Sequence, residues 1–102
     1  MNKREELARL REDAWLGDAV LSLYARGYLL KQELVDNATR TEAYHNMTCN
    51  QFLACLGEPT AVEAQIGRIY KQEGLTAAFQ WLEEQIKPLY EKQESNRQRK
   101  RR

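Results

Sequence analysis

Helix breakers are scarce in this chain: two prolines and five glycines in 102 residues. Few positions can therefore stop a helix or form a tight turn. Val, Ile and Thr are sparse and scattered, which argues against strands. Ala, Leu, Glu, Gln, Lys and Arg dominate, which favours helix. No apolar run approaches the roughly 18 residues of a membrane-spanning helix. The opening stretch MNKREELARLRED is too charged to lead into a secretory hydrophobic segment, and Asp18 interrupts the apolar run that follows. The two cysteines, Cys49 and Cys55, lack C-x-x-C spacing and read as reduced packing residues within one helix of a cytoplasmic protein. The single histidine, His45, has no serine or cysteine motif beside it, so it reads as a bystander rather than a catalytic base. Phosphate-cradling glycine loops are absent as well.

What is present suits one small globular domain. Hydrophobic residues make up 42% of the chain and charged residues 30%, a mixture that excludes disorder for most of it. The net charge of +1 hides an asymmetry. The last six residues, RQRKRR, hold Arg97, Arg99, Lys100, Arg101 and Arg102, five of the 16 basic residues, leaving 11 bases against 15 acids before them. An acidic body thus carries a basic end, which reads either as a solvated tail or as a phosphate-seeking arm. The division expected is a helical domain over residues 1–90 and a basic, disordered tail over 91–102, because EKQESNRQRKRR has no apolar residue.

Apolar spacing predicts about five helices. A short charged one covers 3–12, and a second runs from about 14 to 33 with Leu16, Val20, Leu23 and Tyr24 as its stripe. Asn37 or Thr39 caps a third, with Tyr44, Met47, Phe52 and Leu56 apolar and Gly57 closing it. Pro59 suits the first position of a fourth, which carries Val62, Ile66, Ile69 and Tyr70 and ends at Gly74. Thr76 caps a fifth with Phe79, Leu82, Ile86 and Leu89, whose last turns Pro88 bends. The fold class is all-α with short connections.

Two carboxylates stand in unusual surroundings. Asp18 follows Gly17 inside WLGDAVLSLYAR, an otherwise apolar frame. Glu63 lies in TAVEAQIGRIY among Val62, Ala64, Ile66 and Ile69. Burying an ionised acid is costly unless a cation or hydrogen bonds compensate it. Gly67, four residues after Glu63, costs about 1 kcal/mol relative to Ala inside a helix, so its presence points to close approach by another helix. Two readings stand at this level. Either Asp18 caps or pairs with an arginine such as Arg68 while Glu63 is a surface charge, or the two acids form a site.

The sequence resembles the ribonuclease III family. WLGDAVLSLYARGYLLK is similar to that family's signature helix, E-x-x-E-[FY]-L-G-D-[AS]-V-L, and TAVEAQIGRIYKQEGLTAAFQWLEEQI to its second acidic motif, D-x-x-E-A-x-x-G-x-x-[YF], with the Gly-Leu turn and helix that follow. NQFLACLG, residues 50–57, resembles the stretch between them, so the likeness covers most of residues 10–87 in the family's order.

The resemblance implies a ribonuclease-III-like all-α domain forming a symmetric homodimer, with Trp15 as an aromatic knob at the two-fold interface. It implies Asp18 and Glu63 as catalytic Mg²⁺ ligands, with Mn²⁺ as an alternative, and hydrolysis of double-stranded or structured RNA, such as a ribosomal RNA precursor. The family's other two acids fall here on Ala14 and Thr60, and an earlier glutamate falls on Arg11, which is left free to meet phosphate. The compact Mini-III branch, which lacks a double-stranded-RNA-binding domain, is similar in having a small residue and a threonine there. That branch also carries a long basic insertion where this chain has only GEP, residues 57–59. RNA contact then rests on Arg11 and on Arg97, Arg99, Lys100, Arg101 and Arg102. The alternative is a degenerate domain that binds structured RNA or a ribonucleoprotein without cutting. A third is a helical protein–protein module. The implied compartment is the cytoplasm, or an organellar interior if a targeting segment has been removed.

Overall fold

The computed structural model describes residues 2–33 and 37–100. Six helices and no strand occur among the described residues: α1 Lys3–Leu30, α2 Asn37–Thr48, α3 Asn50–Leu53, α4 Pro59–Glu73, α5 Leu75–Gln85 and α6 Lys87–Lys100. The all-α expectation therefore holds, but several boundaries differ from those read off the sequence.

The first two expected helices are one. α1 runs unbroken for 28 residues, because no glycine or proline interrupts the stretch from Arg11 to Trp15 across the expected gap at Asp13. Asn2 Oδ1 accepts the Glu5 backbone N–H at 2.8 Å, capping its start, and Glu5 and Glu6 complement the helix dipole. The expected third helix is divided instead. Thr48 Oγ1 donates back to the Tyr44 carbonyl at 2.7 Å, and Cys49 turns extended (φ −74°, ψ 160°) before the single turn of α3. The two cysteines therefore do not share a helix: Cys49 caps α3 and Cys55 lies beyond it, both as free thiols.

Pro59 opens α4 as expected, and the preceding Glu58 accepts the Ala61 N–H at 2.7 Å as its cap. Gly74, at φ 97°, is in the left-handed region that favours glycine, and it both ends α4 and precedes α5. The cap of α5 is thus Gly74, not Thr76. The expected fifth helix breaks at Ile86, and Pro88 falls in the first turn of a separate α6, where its missing N–H costs nothing. That helix continues to Lys100, correcting the expectation of disorder beyond Tyr90. Buried Tyr90 anchors its start, and Arg97 Nη1 reaches Glu94 Oε2 at 3.1 Å one turn back. Arg101 and Arg102 lie outside the described residues.

The core gathers Leu21, Leu29, Met47, Leu53, Ile66, Leu82 and Ile86 around α1. Most of α1's packing is against α4, and the two backbones come into contact at a pair of glycines. A Cβ on Gly17 would overlap the Glu63 carbonyl, and one on Gly67 would overlap the Asp13 carbonyl. Each helix thus presents a notch to the other's backbone, and α1 and α4 run antiparallel across it. Gly27, on the same helix α1, has open space around its Cβ position.

These glycines therefore respond oppositely to alanine. In urea unfolding, Gly17→Ala and Gly67→Ala lose about 3 kcal/mol each through backbone overlap. Gly27→Ala gains up to about 1 kcal/mol from helix propensity. Equal effects at all three positions would contradict the close crossing.

Candidate metal centre at the glycine crossing

The crossing decides which side chains meet. Gly17 rests on the carbonyl of Glu63, so Asp18, the next residue of α1, arrives beside the Glu63 side chain. The two carboxyls lie within hydrogen-bonding reach of each other, so a protonated one donates to its neighbour. Burial, the Asp18 carboxyl and the more distant Glu58 charge together push Glu63 up to about 7, above its usual 4.5. Asp18 is exposed at the rim and Glu63 is half-buried behind it.

A second polar cluster also belongs to the crossing. Asp13 is buried, at 6% exposure, and accepts from Lys71 Nζ at 2.9 Å and Arg68 Nε at 3.1 Å. The Lys71 contact first, and Arg68 with it, hold its carboxyl below the usual range in spite of burial. This corrects the bland sequence reading of Asp18: the partner of Arg68 is Asp13, not Asp18. The sequence reading missed Asp13 altogether. The available signal was its spacing, four residues before Gly17, which puts it on the face of α1 that α4 covers.

The remaining expected residues distribute unevenly. Arg11 is exposed on α1, two turns before Asp18 on the same helical ridge. Thr60 is half-buried in the first turn of α4, three residues before Glu63. Trp15 is 79% exposed and lies outside the core. With Ala19 and Leu23 it forms an exposed apolar stripe at i, i+4 and i+8. Arg97 is half-buried in its pair with Glu94, whereas Arg99 and Lys100 are exposed at the end of α6. His45, Cys49, Cys55 and Arg97 line a separate cavity of about 460 Å³, away from the carboxylate pair.

Two neighbouring carboxyls with no cation bonded to either among the described residues form a negative pair. Among the described residues no group of three His, Cys, Asp or Glu side chains is arranged to hold a metal ion. Two carboxylates offer hard oxygen ligands of the kind Mg²⁺ accepts, unlike the thiolate and imidazole sets of structural zinc. Neither protein-family models, curated proteins nor solved structures yield a match to this chain.

The raised Glu63 carboxyl gives a signed pH dependence. The folded chain holds a proton there that the unfolded chain has already released between about pH 4.5 and 7. Metal-free stability is therefore highest below that window, falls as pH rises through it, and levels off above. Glu63→Gln removes this fall. Thermal melts in chelator across pH 4 to 8 check it, and an unchanged slope in the variant would contradict the assignment.

Proposed function

We propose that this chain is a Mg²⁺-dependent endoribonuclease acting on double-stranded or structured RNA, as a homodimer with a reduced acidic site. The observation that carries the reading is the meeting of Asp18 and Glu63 at the Gly17–Gly67 crossing. These two acids, 45 positions apart, are the ones that the resemblance to the ribonuclease III family singles out. A packing module has no need to place two carboxylates together without a cation, since each raises the cost of ionising the other.

In this reading Asp18 and Glu63 hold the ion. When bound, Mg²⁺ lowers the pKa of a coordinated water and neutralises charge developing on the phosphodiester. The chain's own residues do the rest. Glu63 is fixed by burial in the crossing, so it needs little reorganisation, while Asp18 at the rim meets the substrate side. Arg11, exposed on the same ridge, meets a neighbouring phosphate as a bidentate donor. Thr60 offers a hydroxyl in place of a third acid, so metal affinity is weaker than in a four-acid site. Arg99 and Lys100 add sequence-independent phosphate attraction from the end of α6, and Arg101 and Arg102 extend the run.

The dimer uses the exposed stripe of α1. Trp15, Ala19 and Leu23 need a cover, and an isologous contact between two α1 helices supplies it. Trp15→Ala then weakens self-association by roughly tenfold or more in sedimentation equilibrium. A wild-type chain that stays monomeric at about the same concentration as the RNA assays would contradict this part.

A second reading follows from Ala14 and Thr60 standing where the resemblance expects acids: a degenerate ribonuclease-III-like dimer that binds structured RNA without cutting. One experiment separates the two. Structured RNA is incubated with wild type and Asp18→Asn, with and without Mg²⁺. Metal-dependent cleavage, lost by orders of magnitude in Asp18→Asn with binding retained, supports the nuclease. Salt-sensitive binding without cleavage supports the second reading, and equal cleavage by both proteins overturns the site.

A further inference from the structure

The last two turns of α1 and the facing side of α2 enclose a cleft of about 470 Å³ lined by Arg26, Leu29, Leu30, Arg40, Thr41 and Tyr44. Among the described residues two cations and no acid line it. Neither guanidinium joins an ion pair among the described residues. The Arg40 Nε is sealed from solvent and has no acceptor. An arginine N–H withdrawn from water without a partner is a costly arrangement that a ligand oxygen would relieve.

The second arginine is held in place by its surroundings. Its guanidinium carbon lies 5.1 Å from the centre of the Tyr44 ring, a cation–π contact. Tyr44 is itself pinned, because its hydroxyl and Ser22 Oγ share a hydrogen bond at 2.7 Å. Stacking on a ring engages the face of the guanidinium and leaves its N–H edge free to donate. One arginine is thus oriented by an aromatic ring, the other presents an unsatisfied N–H, and both line the same cleft. Leu29 and Leu30 supply an apolar wall, and Leu30 is 67% exposed at its edge.

We propose that this cleft between α1 and α2 binds a phosphate group through Arg26 and Arg40. Two planar forks suit a tetrahedral oxyanion that accepts several hydrogen bonds at once, and the apolar wall suits a sugar or base attached to it. The site stands independently of the nuclease reading. It lies eight residues beyond Asp18 on α1, about 12 Å along the helix axis. A free nucleotide and a phosphate within an RNA strand share the chemistry that the cleft recognises.

The test follows the side-chain Nε–Hε signals of Arg26 and Arg40 by NMR, with inorganic phosphate, adenosine monophosphate and a short RNA duplex as probes. A saturable shift of the Arg40 signal with phosphate or the mononucleotide is expected. Affinity falls at least roughly tenfold in Arg40→Gln and in Arg26→Gln, as for loss of a charge-assisted hydrogen bond. Arg40→Lys retains part of the binding, since it keeps the charge and loses the fork. Duplex affinity that also drops in the glutamine variants assigns the site to a strand phosphate. Unchanged duplex affinity beside lost mononucleotide binding assigns it to a free nucleotide. Absence of a saturable Arg40 shift with all three probes overturns the proposal, and so does equal binding by wild type and both glutamine variants. Melting curves check each fold. Should Arg40→Gln not fold, Arg26→Gln and Arg40→Lys carry the comparison. Asp18→Asn keeps phosphate binding in this cleft, so a failed cleavage assay leaves the site standing.

Discussion

Backbone contact between α1 and α4 at Gly17 and Gly67 is the constraint on which the rest of the molecule depends. Two helices carrying ordinary side chains pack with axes about 8–10 Å apart. Here each glycine admits the other helix's carbonyl, so the approach is closer and the register is fixed to the residue. A slip of one position would drive a Cβ into a peptide group. That register places both carboxylate clusters of the crossing: Asp18 beside Glu63, and Asp13 beneath Arg68 and Lys71. Helix propensity alone would remove both glycines, at a gain of about 1 kcal/mol each.

The crossing sorts charge by kind. Asp13 is buried and doubly compensated, so it stays ionised and ties α1 to α4. Asp18 and Glu63 have no ion-pair partner among the described residues, and burial with their mutual repulsion raises the Glu63 carboxyl. Two acids five residues apart on one helix thus have opposite roles. The Asp13 cluster ties the two helices together, whereas the Asp18–Glu63 pair sets two like charges side by side. Both guanidiniums of the α1–α2 cleft are the reverse case, cations with no acid beside them in the cleft lining among the described residues.

Much of this was legible in the sequence, for reasons that differ by element. Pro59 and Gly74 bound α4 as expected, because each restricts backbone geometry locally. Gly67 signalled a close helix approach because a glycine inside a helix needs a reason. The pairing of Asp18 with Glu63 was readable from two motifs in a characteristic order. Asp13 was not, since a charged residue in a charged segment shows its burial only once α4 lies over it. The join of the first two helices was missed because the apolar pattern weakens near Arg11, yet nothing there stops the backbone. α6 was missed for the same kind of reason: EKQESNRQRK has no apolar face, but Tyr90 anchors one end and good helix formers continue it. The orphan Arg40 Nε depends on packing between α1 and α2 and leaves no trace in residue order.

The central claim is that the glycine crossing builds a cation site from Asp18 and Glu63. Paramagnetic broadening of amide signals by substoichiometric Mn²⁺ tests it most directly, since it locates the ion without requiring turnover. The account predicts broadening centred on residues 17–19 and 62–64, absent in Asp18→Asn and displaced by excess Mg²⁺. Broadening centred away from residues 17–19 and 62–64, or unchanged in Asp18→Asn, would contradict it.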